Sequence, residues 1–149
     1  MKSVLISIQP KWCELIASGK KTVEVRKTKP KLGTPFKVYI YQTKHREHNG
    51  PTYSDGKVIG EFVCNAIISH CEMANADLAE IQGRIKREKL LEYANGKELY
   101  GWHISDLVIY EKPRSLGEIR GLRKTKFGME PVTLTRPPQS WCYVMEGGE

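Results

Sequence analysis

Apolar residues near the N-terminus follow two different spacings in succession. Trp12, Leu15 and Ile16 fall on one face of a helix, and polar residues occupy the opposite face. Pro10 suits the first turn of this helix, where a missing N–H costs nothing, and Gly19 favours the left-handed conformation that ends many helices. The pattern therefore predicts a helix over residues 10–18.

The period changes to two immediately after this helix. Val23 and Val25 point to one side of an extended chain, whereas Glu24 and Arg26 point to the other. This alternation predicts a strand over residues 22–27. If the valines enter the core, the charged side chains face water or a cavity wall, and Lys21 at the corner between helix and strand leans over the same wall.

The rest of the chain predicts mainly strands. Five further runs read as strands: residues 4–8, 36–41, 58–68, 100–110 and 141–145. An apolar stripe at helical spacing predicts a helix over residues 75–94, and residues 115–119 fit a helical turn. The segments expected to be loops are residues 45–56, which are polar, and residues 120–130, which are basic and flexible.

These elements predict the fold class. Six or so strands with two or three peripheral helices favour a mixed α+β fold, mainly β, in which the strands close into a small barrel. A length of 149 residues suits one domain over residues 1–149, and no internal repeat or low-complexity tract divides the chain.

Composition excludes several classes of protein. No apolar run is long enough to span a membrane, and no signal peptide is recognisable, so we expect a cytoplasmic protein without a membrane partner. The four cysteines are scattered and are expected to be reduced: Cys13, Cys64, Cys71 and Cys142. His45 and His48 have no further ligand at metal-binding spacing, so neither a metal nor a cofactor is expected.

Positive charge is concentrated in the first part of the chain. The formal net charge is +7, and residues 1–60 contain 12 Lys or Arg against 4 Asp or Glu, whereas the remainder contains 12 against 13. Such clustering attracts phosphate groups and makes binding sensitive to salt. A polyanionic partner is therefore favoured. The alternative is that the basic surface serves only to keep the protein soluble.

The segment around the helix-to-strand corner resembles a known family. Residues 19–26 read Gly-Lys-Lys-Thr-Val-Glu-Val-Arg, which matches G-x-K-x-x-E-x-R, and they follow Gln9, Pro10 and one short helix. This arrangement resembles the ASCH domain of the PUA-like superfamily, as do residues 102–105 and 137–144. The resemblance implies a PUA-like barrel, a cleft between the barrel and the first helix, and RNA or a modified nucleotide as the partner.

The charged residues of this motif have a collective chemistry. Glu24 between two cations should stay ionised and hold both in place. Arg26 offers a planar fork for a phosphate or a base edge, and Lys21 is a compact cation. In a partly dry cleft beside Arg26, the pKa of Lys21 should fall, which makes it a candidate proton acceptor. Alternatively, the three side chains form an ionic cluster that only pins helix to strand.

Other residues are candidate ligand contacts because the resemblance places them around the cleft. Aromatic side chains there stack on unpaired bases, although tryptophans also fill cores, which is the preferred role for Trp12. The predicted ligand-binding residues are Lys21, Glu24, Arg26, Gln9, Tyr41, His103, Gln139 and Trp141. The polar members, Gln9, His103 and Gln139, are equally able to satisfy backbone groups.

Three functions remain open from the sequence. The leading hypothesis is a module that binds RNA or a nucleotide. The alternative is a hydrolase acting on RNA or a modified nucleoside, with Lys21 as base and Glu24 as catalytic partner. One ASCH branch, which hydrolyses N4-acetylcytidine, resembles G-x-K-T-x-T-x-R, and here Glu24 replaces the second threonine, the expected nucleophile. The third hypothesis is a non-enzymatic adaptor that docks a protein through residues 76–94.

Overall fold

The structure, a computed structural model, describes residues 2–46, 52–54, 56–70 and 82–145. Helices α1 (Pro10–Ala17) and α2 (Arg87–Ala94) lie within these ranges, residues 82 and 83 are also helical, and a 3-10 turn spans Leu116–Glu118. The ten strands are β1 (Lys2–Ile8), β2 (Val23–Arg26), β3 (Phe36–Gln42), β4 (His45–Arg46), β5 (Thr52–Ser54), β6 (Lys57–His70), β7 (Leu99–Arg114), β8 (Arg120–Thr125), β9 (Gly128–Thr133) and β10 (Trp141–Met145). Neither of the described helices is long and apolar enough to cross a membrane.

Eight of the strands form one mixed sheet in the order β2-β7-β6-β3-β1-β10-β8-β9. β1 and β3 are parallel, and α1 and β2 form part of the crossover connection that a parallel pair requires. The other pairs in this sheet are antiparallel. β4 and β5 form a separate two-stranded pair. The sheet brings the N-terminal strand β1 beside the C-terminal strand β10, with Ile6 opposite Trp141.

Apolar side chains cover both faces of the central strands. On one face α1 packs over the main core, which consists of Val4, Ile6, Ile8, Cys13, Ile16, Phe36, Val38, Ile40, Phe62, Cys64 and Trp102. A second cluster contains Leu5, Tyr39, Tyr41, Val58, Ile119 and Val144. At the end of the sheet, Val23 and Val25 of β2 pack against Leu90 of α2. This packing turns Glu24 and Arg26, which alternate with the valines, towards α1 and the segment before β10.

The mainly β fold class is confirmed, but the closed six-stranded barrel is wrong. Among the described residues the main sheet has eight strands and is open, with β2 and β9 at its two edges. β2 is only four residues long and pairs with β7, and a helix rather than another strand packs beside it. At the other edge, β8 and β9 add a hairpin where the sequence predicted a flexible basic loop over residues 120–130.

Two further predictions need correction. The predicted helix over residues 75–94 is interrupted: residues 82 and 83 are helical, residues 84–86 are not, with Arg84 at a φ of +60°, and α2 begins at Arg87. The remainder of that prediction, residues 75–81, lies outside the described residues. The predicted loop over residues 45–56 contains β4 and β5. By contrast, the predicted helix at residues 10–18, the turn at 115–119 and the last strand are confirmed within one or two residues.

Candidate functional site

A cleft of about 940 Å³ lies between α1, β2, α2 and the segment 137–140. Its lining combines charged, aromatic and small polar side chains. The residues that line it are Ser7, Gln9, Lys11, Trp12, Glu24, Val25, Arg26, Thr43, Ile85, Lys89, Leu90, Glu92, Tyr93, Pro137, Pro138, Gln139 and Ser140. We refer to this space as the cleft.

The carboxylate of Glu24 forms the charged floor of the cleft. Only 5% of the residue is exposed, and two cations flank it. Lys21 Nζ lies 3.6 Å from one carboxylate oxygen, and Arg26 Nη2 lies 3.4 Å from the other. The backbone N–H of Val25 also donates to the first oxygen at 3.2 Å. Because a carboxylate accepts about four hydrogen bonds, these long contacts leave Glu24 able to accept another donor.

The guanidinium of Arg26 holds three distant segments together. Its Nη2 donates to the Ser7 carbonyl at the end of β1 over 2.7 Å, and Nη1 donates to Ser140 Oγ over 3.1 Å. The same Nη1 contacts the Ser140 carbonyl at 3.4 Å, while Nη2 reaches Glu24. The planar fork is therefore engaged within the protein, so it shapes the cleft wall and is not a free clamp for phosphate.

Lys21 lies behind the cleft rather than in its lining. Only 1% of the residue is exposed, and Nζ donates to the Gly83 carbonyl over 2.5 Å. The Trp12 ring covers the ammonium at 5.0 Å, a cation–π distance. Burial lowers the pKa of Lys21, as the sequence predicted; Arg26 adds to this lowering, whereas Glu24 opposes it. This geometry does not bring Lys21 into contact with a molecule in the cleft.

Gly83 and Cys13 complete the buried surroundings of the charged residues. A Cβ on Gly83 would lie 3.2 Å from Val25 Cγ2, so the absence of a side chain lets its carbonyl approach Lys21. The Cys13 thiol donates to the Ile8 carbonyl at 3.5 Å, and burial, with a smaller contribution from Glu24, raises its pKa to about 12. This thiol is therefore a structural group rather than a nucleophile.

Two aromatic rings and several lysines surround the opening. Trp12 from α1 and Tyr93 from α2 both line the cleft. Lys11 Nζ lies 4.8 Å from the Trp12 ring, and Lys27 Nζ lies 4.5 Å from the Tyr93 ring. With Lys89 also in the lining, the rim offers aromatic faces and positive charge close together.

The structure brings together only part of the predicted site. Glu24 and Arg26 line the cleft with Gln9 and Gln139, whereas Lys21 stands directly behind it. The other three candidates lie elsewhere. Tyr41 is 4% exposed and lines a separate cavity. His103 lies on β7, opposite Val23 of β2. Trp141 packs edge-on against the rings of Trp102 and Tyr143. The helix proposed as an adaptor turns Leu90 and Tyr93 to β2 and the cleft, and its residues 76–81 are not described.

Sequence reasoning missed Ser7, Ser140, Gly83 and Tyr93. An isolated glycine inside a predicted helix was the available signal for Gly83, because it costs about 1 kcal/mol relative to alanine there and usually has a packing or functional reason. The two serines gave no local signal, since they reach Arg26 only through the pairing of β1 with β10.

Comparison with known proteins places this geometry in context. A family model described as the ASCH domain matches residues 6–114. Among curated proteins no match was found. The crystal structure of ASCH from Zymomonas mobilis is similar at 21% identity with a TM-score of 0.66, covering 98% of this chain and 90% of that one. The crystal structure of a point mutant of that protein is similar at 20% identity with a TM-score of 0.67, covering 99% of this chain and 94% of that one. At this identity the likeness is one of fold.

Proposed function

Because this chain belongs to the ASCH domain family, we propose that it binds RNA or a nucleotide in the cleft. The base would lie against the floor, between the aromatic side chains, and the phosphate would lie at the rim. The observation that carries this proposal is the buried Glu24 carboxylate, flanked by two cations, at the bottom of a cleft edged by aromatic rings.

The floor suits the edge of a base better than a phosphate. A phosphate would meet the negative charge of Glu24 directly, and the guanidinium of Arg26 already has internal partners. The exocyclic or ring N–H of a nucleobase, in contrast, is a donor that a carboxylate accepts well. Gln9 and Gln139 in the lining each offer both a donor and an acceptor for the rest of such an edge.

The rim supplies the other two contacts that a nucleotide needs. Stacking on Trp12 or Tyr93 is tolerant of sequence because every base has a π-face, and it contributes about 1–3 kcal/mol per base. Lys11 and Lys89 in the lining place positive charge where the sugar-phosphate backbone would leave the cleft. Binding should therefore weaken as salt rises.

Titrations test this proposal. Labelled single-stranded RNA and mononucleotides are titrated at two salt concentrations, and we expect binding at low salt that weakens at high salt. Tyr93→Ala should reduce affinity about tenfold, whereas Tyr93→Phe, which keeps the ring, should retain it. Lys89→Ala should weaken binding more than Lys86→Ala, because Lys86 immediately precedes α2 but is not in the cleft lining. Absence of binding even at low salt would refute the proposal.

We propose binding rather than turnover because Lys21 is held by Gly83 and Glu24 and covered by Trp12. Incubation with N4-acetylcytidine and with RNA, followed by mass analysis, tests this distinction. Product that forms with the wild type and disappears with Lys21→Ala would favour a hydrolase instead.

A further inference from the structure

The hairpin formed by β8 and β9, residues 120–133, carries a bulky apolar side chain in solvent. Phe127 in its turn is 80% exposed, the highest value among the large apolar residues that the structure describes as exposed. The turn is well defined: Thr125 Oγ1 accepts from the Phe127 N–H and donates to the Gly128 carbonyl, both over 3.1 Å. A single exposed aromatic residue is common on protein surfaces, so its surroundings decide what it indicates.

Those surroundings are strongly basic. Residues 120–127 contain four cationic side chains and no acidic one: Arg120, Arg123, Lys124 and Lys126. The two faces of the hairpin differ, because Arg123 lies opposite Glu130 on one face, whereas Lys124 lies opposite Met129 on the other. The latter face also presents Arg120 and Pro131, so it combines positive charge with apolar surface and has no acid among its strand residues.

The register of the sheet places the hairpin turn at the end where the cleft opens. β8 is antiparallel to β10, with Gly121 opposite Val144. From Gly121 towards Thr125, β8 therefore runs back along β10 towards Ser140, which lines the cleft. Four residues of strand cover about 13 Å. The chain leaves β9 at the base of the hairpin, where Thr133 lies opposite Arg120, and reaches Pro137 in the cleft wall four residues later. The antiparallel register therefore directs the turn, and the chain after β9 directs the segment 137–140, to the end of β10 that borders the cleft.

We propose that the hairpin is a second contact for the same single-stranded RNA, which extends from the cleft across Phe127 and the basic face. This inference rests on the proposed function of the cleft and extends it from a nucleotide to a polynucleotide. Phe127 stacks on a base outside the cleft, while Lys124, Lys126 and Arg120 contact phosphates.

Two observations favour RNA over a protein partner on this surface. The edge strand β9 contains Pro131, which lacks the N–H that an added strand would need. The cationic side chains complement a phosphate backbone, and the exposed ring beside them is the combination that single-strand binding proteins use. The segment lies beyond residues 6–114 of the family match, so the inference concerns this chain's own residues.

A length series with hairpin variants tests the inference. Phe127→Ala should weaken binding of a long single-stranded RNA about tenfold and leave binding of a mononucleotide unchanged, whereas Phe127→Trp should retain both. Val108→Ala is the matched control, since Val108 is 52% exposed on β7. Each phosphate contact on a single strand contributes about 0.7 to the steepness of log K against log salt. The double variant Lys124→Ala with Lys126→Ala, which removes two such contacts, should therefore make that slope shallower by about 1.4. Lys97→Ala with Lys112→Ala should leave that slope unchanged.

The outcomes separate this inference from the proposed function. If RNA binds and depends on cleft residues, but Phe127→Ala behaves like Val108→Ala, the hairpin inference is wrong and the cleft proposal stands. If neither mononucleotide nor RNA binds, both are wrong. Vesicles containing phosphatidylserine are tested in parallel. Loss of vesicle binding in Phe127→Ala, with RNA binding unchanged, would assign the hairpin to a membrane surface and overturn the inference.

Discussion

Replacing Glu24 by Gln tests whether the charged floor of the cleft is a mutually stabilised unit. The substitution keeps the size of the side chain and removes its charge. Lys21, 1% exposed, and Arg26 would then face each other without the anion between them. We expect a large loss of stability, because a fully buried ammonium and a partly buried guanidinium would lose their common partner.

The magnitude follows from burial and distance. Each ion pair, at 3.4–3.6 Å, amounts to about 5 kcal/mol at an effective dielectric constant of about 20, before desolvation is subtracted. Removing one partner of a buried pair costs about 3–5 kcal/mol in unfolding free energy. The pair of Lys37 with Glu61 is closer, at 3.2 Å, but its side chains are 30% and 24% exposed. Glu61→Gln should therefore cost only about 0.2–1 kcal/mol.

Urea unfolding monitored by tryptophan fluorescence measures both variants. We expect the midpoint of Glu24→Gln to fall far more than that of Glu61→Gln at an unchanged slope. Adding Lys21→Met to Glu24→Gln should recover part of the loss, because the unpaired ammonium is removed, although the Gly83 carbonyl then lacks its donor. Equal small losses in Glu24→Gln and Glu61→Gln would refute the reasoning, as would a double variant that is less stable than the sum of its parts.

Three further predictions concern the same region. Burial lowers the pKa of Lys21 below its ordinary 10.5, so between the lowered pKa and about 10.5 the unfolded chain binds more protons than the folded one. The unfolding free energy of the wild type relative to Lys21→Met should therefore rise with pH in that window. Arg26→Lys should lower stability by about 1–3 kcal/mol in urea unfolding, because an ammonium cannot reach Ser7, Ser140 and Glu24 together. Cys13, whose thiol pKa burial raises to about 12, should resist alkylation at pH 8 until the protein is unfolded, as peptide mass mapping detects.

Each of these expectations has a contrary result. A stability difference that stays level or falls as pH rises would contradict the buried position of Lys21, since the remaining titrations are common to both proteins. Full stability in Arg26→Lys would show that the guanidinium contacts contribute nothing. Rapid labelling of Cys13 in the folded protein would mean that α1 opens readily.

Much of the fold could be predicted where burial dictates the pattern. The helix that begins at Pro10, the strand at Val23–Arg26 and the last strand at Trp141–Met145 all carry clear periodicity, because one face of each packs on apolar neighbours. The hairpin of β8 and β9 was not predicted, because cross-strand pairing rather than burial stabilises it and its charged residues have low strand propensity. The prediction of a closed barrel was wrong, because alternation of apolar and polar residues predicts strands but not whether the two edge strands of the sheet pair with each other.

The candidate site was predictable in its charged residues but not in its walls. Lys21, Glu24 and Arg26 are close in sequence, so the change from helix to strand brought them together. Their accessibility was not predictable, because Trp12 and Gly83, which together enclose the Lys21 ammonium, are far apart in the sequence. Tyr41 and Trp141 were assigned to the cleft from positions near strand ends, but both side chains pack against other residues.

The bonds from Arg26 to Ser7 and Ser140 have a consequence for how this protein is divided in the laboratory. Residue 140 lies well past position 114, where the family match stops, and β10 pairs with β1 along five positions. A fragment excised at residue 114 would leave β1 with an unpaired edge and the guanidinium without one of its two serine partners. A fragment made for binding experiments should therefore include the final strand, β10. Removing this strand and the residues before it should disrupt the cleft, although Glu24 and Arg26 lie near the N-terminus.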